Sequence, residues 1–542
     1  MKNDSKGPSK KFDPKKKGFN KPDFKPKKAF AKDISSDLVG KTLYLEGIID
    51  GVNQTEGPTL FTFEDGTGSF KLEAFLEAGK RAHEEIEEGD VVSAEVKVKE
   101  YQGMYEGEIL KINKLEGDKK QEVLDTVNEK KRERAQPPQT EFLVKSEILD
   151  KLHDRFVKAA TEIRMAILEN RPIIVRHHND ADGYSSGYTL ERAIVPLLKQ
   201  QHDSEKAAWE FFTRAPCTAP FYEIDDSIRD SSMALRNFAK FSNKMPLVII
   251  ADNGSSEEDL MPIQQGKIHG MDFIVIDHHY FEEDVISNET LAHINPHLNG
   301  DDGNLMSAGM LCTEIARFIN PEVENIFQIP AMAGLADRIG NEEVMKQYMD
   351  IAEKEGYEKE VLGKIEGLIE FVSAKLKFLE AREYIEVLFG EPRDQQKKLV
   401  ELMAPYIEKL EQTGLEMAKS AVVTEKLGNV NFQTLQVEQD FPGFGFYPKP
   451  GRTIGMLQDY SVYDKGMENV ITAGILSSAI TIRVSDDVNF SIHELLEFLK
   501  EQVPEAFIKG GGHKNAGSLN FIPNSKDKVV SKFKEYIQIK NS

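Results

Sequence analysis

Three stretches of this chain place acids and imidazoles at the ends of short apolar runs. Ile173-Ile174-Val175 leads into His177-His178-Asn179-Asp180-Ala181-Asp182-Gly183, Leu247-Val248-Ile249-Ile250 precedes Asp252-Asn253-Gly254, and Phe273-Ile274-Val275-Ile276 precedes Asp277-His278-His279. A fourth acid, Asp337, closes the apolar stretch from Ala331 to Ala336. If the backbone stays extended past Val175, His178, Asp180 and Asp182 fall at i, i+2 and i+4, and a period of two sends all three side chains to one side. There they could converge on one metal ion. Carboxylates with a few imidazoles and no thiolate suit Mn²⁺ or Mg²⁺ better than a structural zinc. Two such ions about 3.5–4 Å apart could supply a hydroxide and stabilise the attacking and leaving oxygens of a phosphoryl transfer, so the chemistry suggested is phosphodiester hydrolysis. Taken singly, each cluster has a plainer explanation: Asp252-Asn253-Gly254 as a hairpin turn, Asp277 as a helix N-cap, Asp337 as a surface acid. Four apolar, strand-like runs that all end in this way argue for a shared site.

The elements that must position these residues follow from the pattern around them. Short strands that end in acids and alternate with helical stretches predict a parallel α/β sheet. The carboxyl ends of its strands share one edge, where ligands bind. A helix over about 141–170, with Ile148, Leu149, Leu152, Phe156 and Ile163 at helical spacing, covers one face. Another begins near Tyr184. This catalytic domain spans 141–340, a helix-rich connector without visible chemistry 341–419, and a last domain 420–542. Two stretches of the last domain stand out. Pro448-Lys449-Pro450-Gly451-Arg452-Thr453 is a proline-fixed turn with cations, and Gly510-Gly511-Gly512-His513-Lys514-Asn515-Ala516-Gly517 reads as a glycine loop. Its freed backbone could bring amides close to phosphate, with His513 and Lys514 as further donors.

Asp277-His278-His279, preceded by His178-x-Asp180-x-Asp182-Gly183 and Asp252 and followed by Asp337, resembles the DHH phosphoesterase superfamily. Within it the chain is most similar to RecJ-type single-strand exonucleases, especially the archaeal RecJ-like group that includes the GINS-associated nuclease. Asn295-Pro296-His297 and Ser307-Ala308-Gly309 resemble the stretch between the third and fourth motifs of that family. The resemblance implies that His178, Asp180, Asp182, Asp252, His278 and Asp337 hold two Mn²⁺ or Mg²⁺ ions, with Asp252 as the bridge. It implies that His279 contacts the scissile phosphate or leaving group, and that Asp277 orients its neighbours or joins the coordination shell. It also implies a C-terminal α/β DHH-associated domain, in which Gly511, Gly512, His513 and Lys514 contact phosphate and Arg483 faces the same cleft. The motif departs from bacterial RecJ at His178, where that group usually has an acid, and this leaves metal preference and polarity open.

Ahead of the catalytic domain lie three further regions. Residues 1–34 form a basic tail: the first 32 residues hold twelve lysines and three aspartates, and Pro8, Pro14, Pro22 and Pro26 interrupt any helix. The tail reads as disordered, with Phe12, Phe19, Phe24 and Phe30 available to stack on bases or fill a partner's groove. Residues 35–116 show five short alternating strands, the pattern of a small barrel, which looks like a nucleic-acid-type OB-fold. Phe61, Phe63, Phe70 and Tyr101 are candidate base contacts, and alternation leaves about half of such aromatics inside. Residues 117–140 read as a charged linker, part of it helical.

The fold class expected is therefore multidomain α/β: an OB-fold barrel, a parallel-sheet catalytic domain, a helical connector and a C-terminal α/β domain. The two cysteines, Cys217 and Cys312, form no Cys-x-x-Cys pair, which fits a reducing cytoplasm. No membrane span or secretory signal is visible, so a cytoplasmic protein is expected. A formal net charge of −22 argues against a uniformly basic nucleic-acid surface but leaves local ones open. The expected function is a two-metal exonuclease on single-stranded DNA or RNA, with GINS as a candidate partner. Two alternatives stand beside it: a phosphodiesterase for short oligonucleotides or cyclic dinucleotides, and a replisome scaffold that binds GINS.

Overall fold

A computed structural model of the chain describes residues 26–101, 103–217, 219–376, 381–440 and 447–541. These divide into two compact units, one up to Arg134 and one from Ala135 onward. The first contains strands β1 (Lys27–Lys28), β2 (Thr42–Gln54), β3 (Thr59–Glu64), β4 (Ser69–Ala74), β5 (Val91–Tyr101) and β6 (Met104–Lys114), followed by helix α1 (Gly117–Ala135). The order is β1-β2-β3-β4-β6-β5, and pairing of β2 with β5 closes the barrel. Alternation along β2 turns Leu43, Leu45 and Ile49 inward to meet Leu72 and Val96.

Three expectations for this unit need correction. Phe61 and Phe63 are 0% exposed and Phe70 is 6% exposed, so they form core and cannot stack on a base. The reason is parity: Phe61 and Phe63 lie two apart on β3, which is paired on both edges, and both therefore face the barrel axis. Tyr101, at the β5–β6 turn, is 59% exposed. Residues 26–34 are not tail. Lys27 and Lys28 pair in parallel with Leu43 and Tyr44, Lys28 Nζ lies 2.6 Å from Glu46, and the Ala31 amide donates to Asp65. Phe30 lies under the Lys130 ammonium; Phe12, Phe19 and Phe24 lie outside the described residues. Most of the stretch read as linker is α1, whose Val123 and Val127, one turn apart, pack on Val91.

The second unit opens with α2 (Glu147–Leu168), β7 (Ile173–His177), α3 (Ala181–His202), the short α4 (Ala207–Glu210) and β8 (Phe212–Pro216). Then come α5 (Ile224–Arg236), β9 (Leu247–Ala251), α6 (Glu257–Ile268), β10 (Asp272–Ile276) and β11 (Ala292–Ile294). The sheet order is β11-β10-β9-β7-β8, and every pairing is parallel. Every residue of β7 and β9 is buried, which explains why these strands read as continuous Ile/Val/Leu runs without alternation. From β7 the chain steps to β8 on one side and then to β9 on the other, so the topological switch point lies between β7 and β9. Helices α7 (Ala308–Ile319) and α8 (Ile329–Ala336) complete the lobe. The run before Asp337 is thus a helix rather than a strand, and Asp337 is its C-cap.

The connector consists of α9 (Glu342–Lys354), α10 (Lys359–Leu376), α11 (Arg382–Leu388) and α12 (Arg393–Ala421). Buried Glu191 of α3 ties it to the catalytic sheet by accepting from Arg214 of β8 and from Arg382 of α11. The C-terminal lobe contains β12 (Val423–Leu427), β13 (Val430–Gln436), α13 (Val437–Asp440), α14 (Pro450–Asp459), β14 (Val470–Ile475) and β15 (Ala479–Val484). It ends with α15 (Ile492–Gln502), β16 (Lys509–His513), β17 (Ala516–Asn520) and α16 (Lys526–Lys540). The expected glycine loop is in fact the β16–β17 hairpin, with Lys514 and Asn515 at its turn. Among the described residues no helix is long and apolar enough to cross a membrane.

Burial separates the barrel aromatics energetically. Phe63→Ala is expected to cost about 3–5 kcal/mol, and Tyr101→Ala less than about 0.5 kcal/mol. Amide hydrogen exchange of the barrel strands in the full-length protein measures both, and equal protection in the two variants would contradict the assignment of Phe63 to the core.

Candidate metal centre and substrate cleft

The strand register sets the site. Ala251 pairs with His177 on one side and Ile276 on the other, so β7, β9 and β10 end level. The ladder extends one residue past each strand: the amides of His178, Asp252 and Asp277 donate to Ala251, Ile276 and Ile294. Beyond that point the first motif does not stay extended. Asp180 is the N-cap of α3 and accepts from the Gly183 amide at 2.9 Å, and Asp182 lies in the first helical turn, where the helix dipole favours an anion. His178, Asp180 and Asp182 converge through a strand, a cap and a helix start, not through a period of two. The cap brings the chain back so closely that a Cβ on Gly183 would lie 2.2 Å from the His178 carbonyl oxygen.

Asp252 occupies the left-handed region at φ +61°, a strained conformation for a non-glycine residue and one that recurs at functional sites. There it is shared by three donor sets, within each of which the ligand atoms lie within 4.8 Å of one another. One comprises His178, Asp180 and Asp252, a second Asp182, Asp252, His278 and Asp337, and a third Asp252, Asp277 and His279, whose imidazole and second carboxylate already face each other at 2.8 Å. His178 Nδ1 lies 2.7 Å from Asp180 and 3.5 Å from Asp252, while His278 Nε2 lies 3.4 Å from Asp252 and 3.1 Å from Asp337. Both Asp252 oxygens, Asp182 Oδ2 and His278 Nε2 are buried without a well-directed hydrogen bond. Each such orphan costs about 1–3 kcal/mol, and cations on the first two sets would relieve it. The residues present therefore fit two divalent ions that prefer oxygen and imidazole ligands, with Asp252 common to both.

Other side chains fix these ligands. Asp182 Oδ1 accepts from Ser307 Oγ and the Gly309 amide, leaving Oδ2 for the centre. His278 Nδ1 lies 3.1 Å from the Gly303 carbonyl, an arrangement that leaves Nε2 to face the acids. A Cβ on Gly303 would sit 1.7 Å from the His278 carbonyl oxygen, so the turn requires glycine. Asp277 Oδ1 accepts from the amides of His278 and His279 and lies 2.8 Å from His279 Nδ1, while Oδ2 accepts from the Ser255 amide. Both Asp277 oxygens are thus engaged, and Asp277 also falls in a possible ligand group with Asp252 and His279. Asn295 links Ser255 Oγ to the His279 carbonyl.

Electrostatics mark the crowding. Burial, then Asp337 and Asp252, push the Asp182 carboxyl well above its ordinary range. Burial also raises Asp337, outweighing the pull of the facing His278 imidazole. Burial would lower His178 and His278, but the facing carboxylates outweigh it and hold both well above the usual imidazole value. A site that draws protons onto its own ligands has negative charge to neutralise.

The C-terminal lobe closes over this edge. The His513 ring stacks on His279 at 5.0 Å and 20°, and meets His278 edge-on at 5.0 Å. Burial and the two imidazoles beside it depress His513 far below the usual value, keeping it neutral. Arg483 is half-buried, and burial together with Arg338 lowers it to about 10. Gly512, at φ +132°, serves the hairpin, since a Cβ there would strike the Ala516 carbonyl at 2.4 Å; a Cβ on Gly511 would meet nothing. Lys514 is exposed. Beside His513 opens a cavity of about 850 Å³, lined by Tyr280, His493, Phe498, Tyr536 and Lys514 among others. Tyr280 and His493 pack against each other in its wall, ring centres 4.4 Å apart.

Reading the residues alone overlooked Glu370 and Ser373, which lie far from any motif in sequence and reach the site only through packing, and Ser255, which directly follows Asp252-Asn253-Gly254. The cations of the 448–453 stretch are engaged within the protein: Arg452 pairs with Glu366 and Glu411, and Lys449 with Glu370.

Residues 172–337 match the DHH family, N-terminal domain, and residues 43–115 the OB-fold nucleic acid binding domain. An uncharacterized protein of Methanocaldococcus jannaschii is 37% identical over 538 residues, covering 94% of this chain and 70% of that protein. The solved DHH domain of a member of the s1p family of ribosomal proteins is 34% identical, with a TM-score of 0.73 over 79% of this chain and 100% of that one. RecJ of Thermus thermophilus in complex with Mn²⁺ is 15% identical, with a TM-score of 0.50 over 77% of this chain and 59% of that one, and so shares the fold.

If the orphaned ligands hold cations, Mn²⁺ should raise the unfolding temperature of the full-length protein, by the equivalent of about 2.7 kcal/mol at a hundred times the dissociation constant. Asp252→Ala, which removes the shared ligand, should abolish most of that shift. Equal shifts in differential scanning calorimetry would show that the ions bind elsewhere.

Proposed function

The chain belongs to the DHH family of phosphoesterases, and from that premise we propose that it is a two-metal-dependent exonuclease acting on single-stranded nucleic acid. The observation that carries the proposal is the donor sets sharing Asp252 at the carboxyl edge of the sheet, with the His513 hairpin and its cavity directly above. His178, Asp180 and Asp252 would hold one ion, and Asp182, Asp252, His278 and Asp337 the other. When bound, the two cations would acidify a water and offset charge on the phosphoryl oxygens. Oxygen and imidazole ligands without a thiolate fit Mn²⁺ or Mg²⁺.

The chain's own residues supply the rest. His279, held by Asp277, faces the centre and can donate to the scissile phosphate or the departing oxygen. Neutral His513 offers a hydrogen bond to phosphate without adding a charge to an already crowded site. Arg483 adds a fixed positive charge on the same side, balancing the strand backbone. The exposed Tyr280 ring offers a surface for an unpaired base, and base stacking is worth about 1–3 kcal/mol per base. The OB-fold barrel gives a second hold on the strand, through the exposed Tyr101 at its β5–β6 turn. A strand-holding module favours long substrates over dinucleotides, which need none.

Single-stranded DNA and RNA labelled at either end should be shortened stepwise with Mn²⁺, not in chelator, and not by Asp252→Ala. The order of label release gives polarity, and the DNA-to-RNA rate ratio gives the preferred sugar. Strands bound tightly but left intact with every divalent ion would instead identify a scaffold, and cleavage confined to di- to pentanucleotides a short-oligonucleotide phosphodiesterase.

A further inference from the structure

We infer that Lys449 of the C-terminal lobe, held by Glu370 of the connector, is a positioning residue that makes one of the two metal half-sites depend on the docking of that lobe. The inference rests on the two-ion reading above. Its starting observation is a contact across 270 residues. Lys449 Nζ donates to the Asn179 carbonyl at 2.8 Å and to Ser373 Oγ at 2.7 Å, and lies 3.3 Å from Glu370 Oε2. Asn179 stands between His178 and Asp180, two ligands of the same half-site. On the other side of Asp180, the Ala181 amide donates to Glu370 Oε1 at 2.8 Å.

Both peptide groups flanking Asp180 are therefore gripped from outside the catalytic lobe: the carbonyl before it by Lys449, and the amide after it by the carboxylate that pairs with Lys449. Within its own segment the Asp180 carboxylate accepts from the Gly183 amide as the cap of α3 and lies 2.7 Å from His178 Nδ1, while its carbonyl accepts from the Tyr184 amide. The other half-site differs. Asp182 is fixed by Ser307 and Gly309, and His278 by Gly303, all within the catalytic lobe. Lys449 immediately precedes α14, and one turn along that helix Arg452 pairs with Glu366 at 2.8 Å and Glu411 at 3.1 Å. These pairs seat the helix on the connector, so the lysine reaches the loop only when the C-terminal lobe is in place. The lobe that would carry the substrate contacts thereby also grips the backbone that bears one ion's ligands; at the other half-site it meets the His278 ring through His513 and reaches Arg338, next to Asp337, through Asp459, but among the described residues it bonds to no peptide group beside a ligand.

The test is Mn²⁺ binding to the full-length protein, followed by calorimetry and by the electron paramagnetic resonance signal of free Mn²⁺, independently of any cleavage assay. Wild type should bind two ions. Lys449→Met should weaken one of them at least tenfold and leave the other within about threefold. Glu370→Gln, which keeps an acceptor for the Ala181 amide but removes the partner of Lys449, should weaken the same ion less; it preserves the test if the methionine variant does not fold. Asp459→Asn, at the far end of α14 and bonded to Arg338, should leave that ion unchanged. Two ions bound as tightly by Lys449→Met and Glu370→Gln as by wild type, parallel loss of both ions, or the same loss in Asp459→Asn would each overturn the clamp. Wild-type protein that binds fewer than two ions would overturn the two-ion reading itself, and the clamp with it.

Discussion

The level ends of β7, β9 and β10 are the constraint on which the active edge depends. Because parallel pairing places His177, Ala251 and Ile276 side by side, the next residue of each strand leaves the sheet at the same height, and those residues are His178, Asp252 and Asp277. A slip of one residue in any strand would turn its acid or imidazole to the other face. The strands cannot slip, since all of β7 and β9 is buried on both faces and any shift would trade apolar contacts for charged ones. Hydrophobic burial below the edge thus fixes, without any contact to substrate, the spacing of charged groups above it.

Having gathered those charges, the fold must compensate them. Asp277 is satisfied by backbone amides and His279, and Asp182 is half satisfied by Ser307 and Gly309. Asp252 accepts no well-directed hydrogen bond and sits in a strained backbone conformation. A residue that is buried, strained and unsatisfied is retained against its own stability. The cations proposed for the donor sets that share Asp252 would supply the partner it lacks.

Much of this was legible in the chain because it rests on local rules. Unbroken Ile/Val/Leu runs announce buried parallel strands, and an acid at the end of each announces the functional edge of the sheet. What could not be read had nonlocal causes. The turn of Asp180 into a helix cap depends on Gly183 passing against the His178 carbonyl, and nothing in the spacing distinguishes that from an extended strand. Asp337 ends a helix although its run is as apolar as a strand, because α8 is buried among its neighbours and shows no polar face. Phe61 and Phe63 read equally well as a stacking surface until barrel closure decides which face is inside. The glycine-rich stretch at 510–517 looks like a loop, yet its small residues serve close pairing within a hairpin.

Lys449 shows the same limit from the other direction. In sequence it is a cation in a proline-rich turn, suited to phosphate; in the structure its ammonium is occupied by a carbonyl, a hydroxyl and a carboxylate of the protein. A lysine with three such partners has little left to offer a substrate anion, and its energetic role lies in what it holds. It holds the backbone beside Asp180, in the donor set that also contains His178 and Asp252. An enzyme in which the substrate-binding lobe completes its own metal site would cleave poorly when that lobe is displaced, and metal assembly and strand binding would then share one conformational requirement.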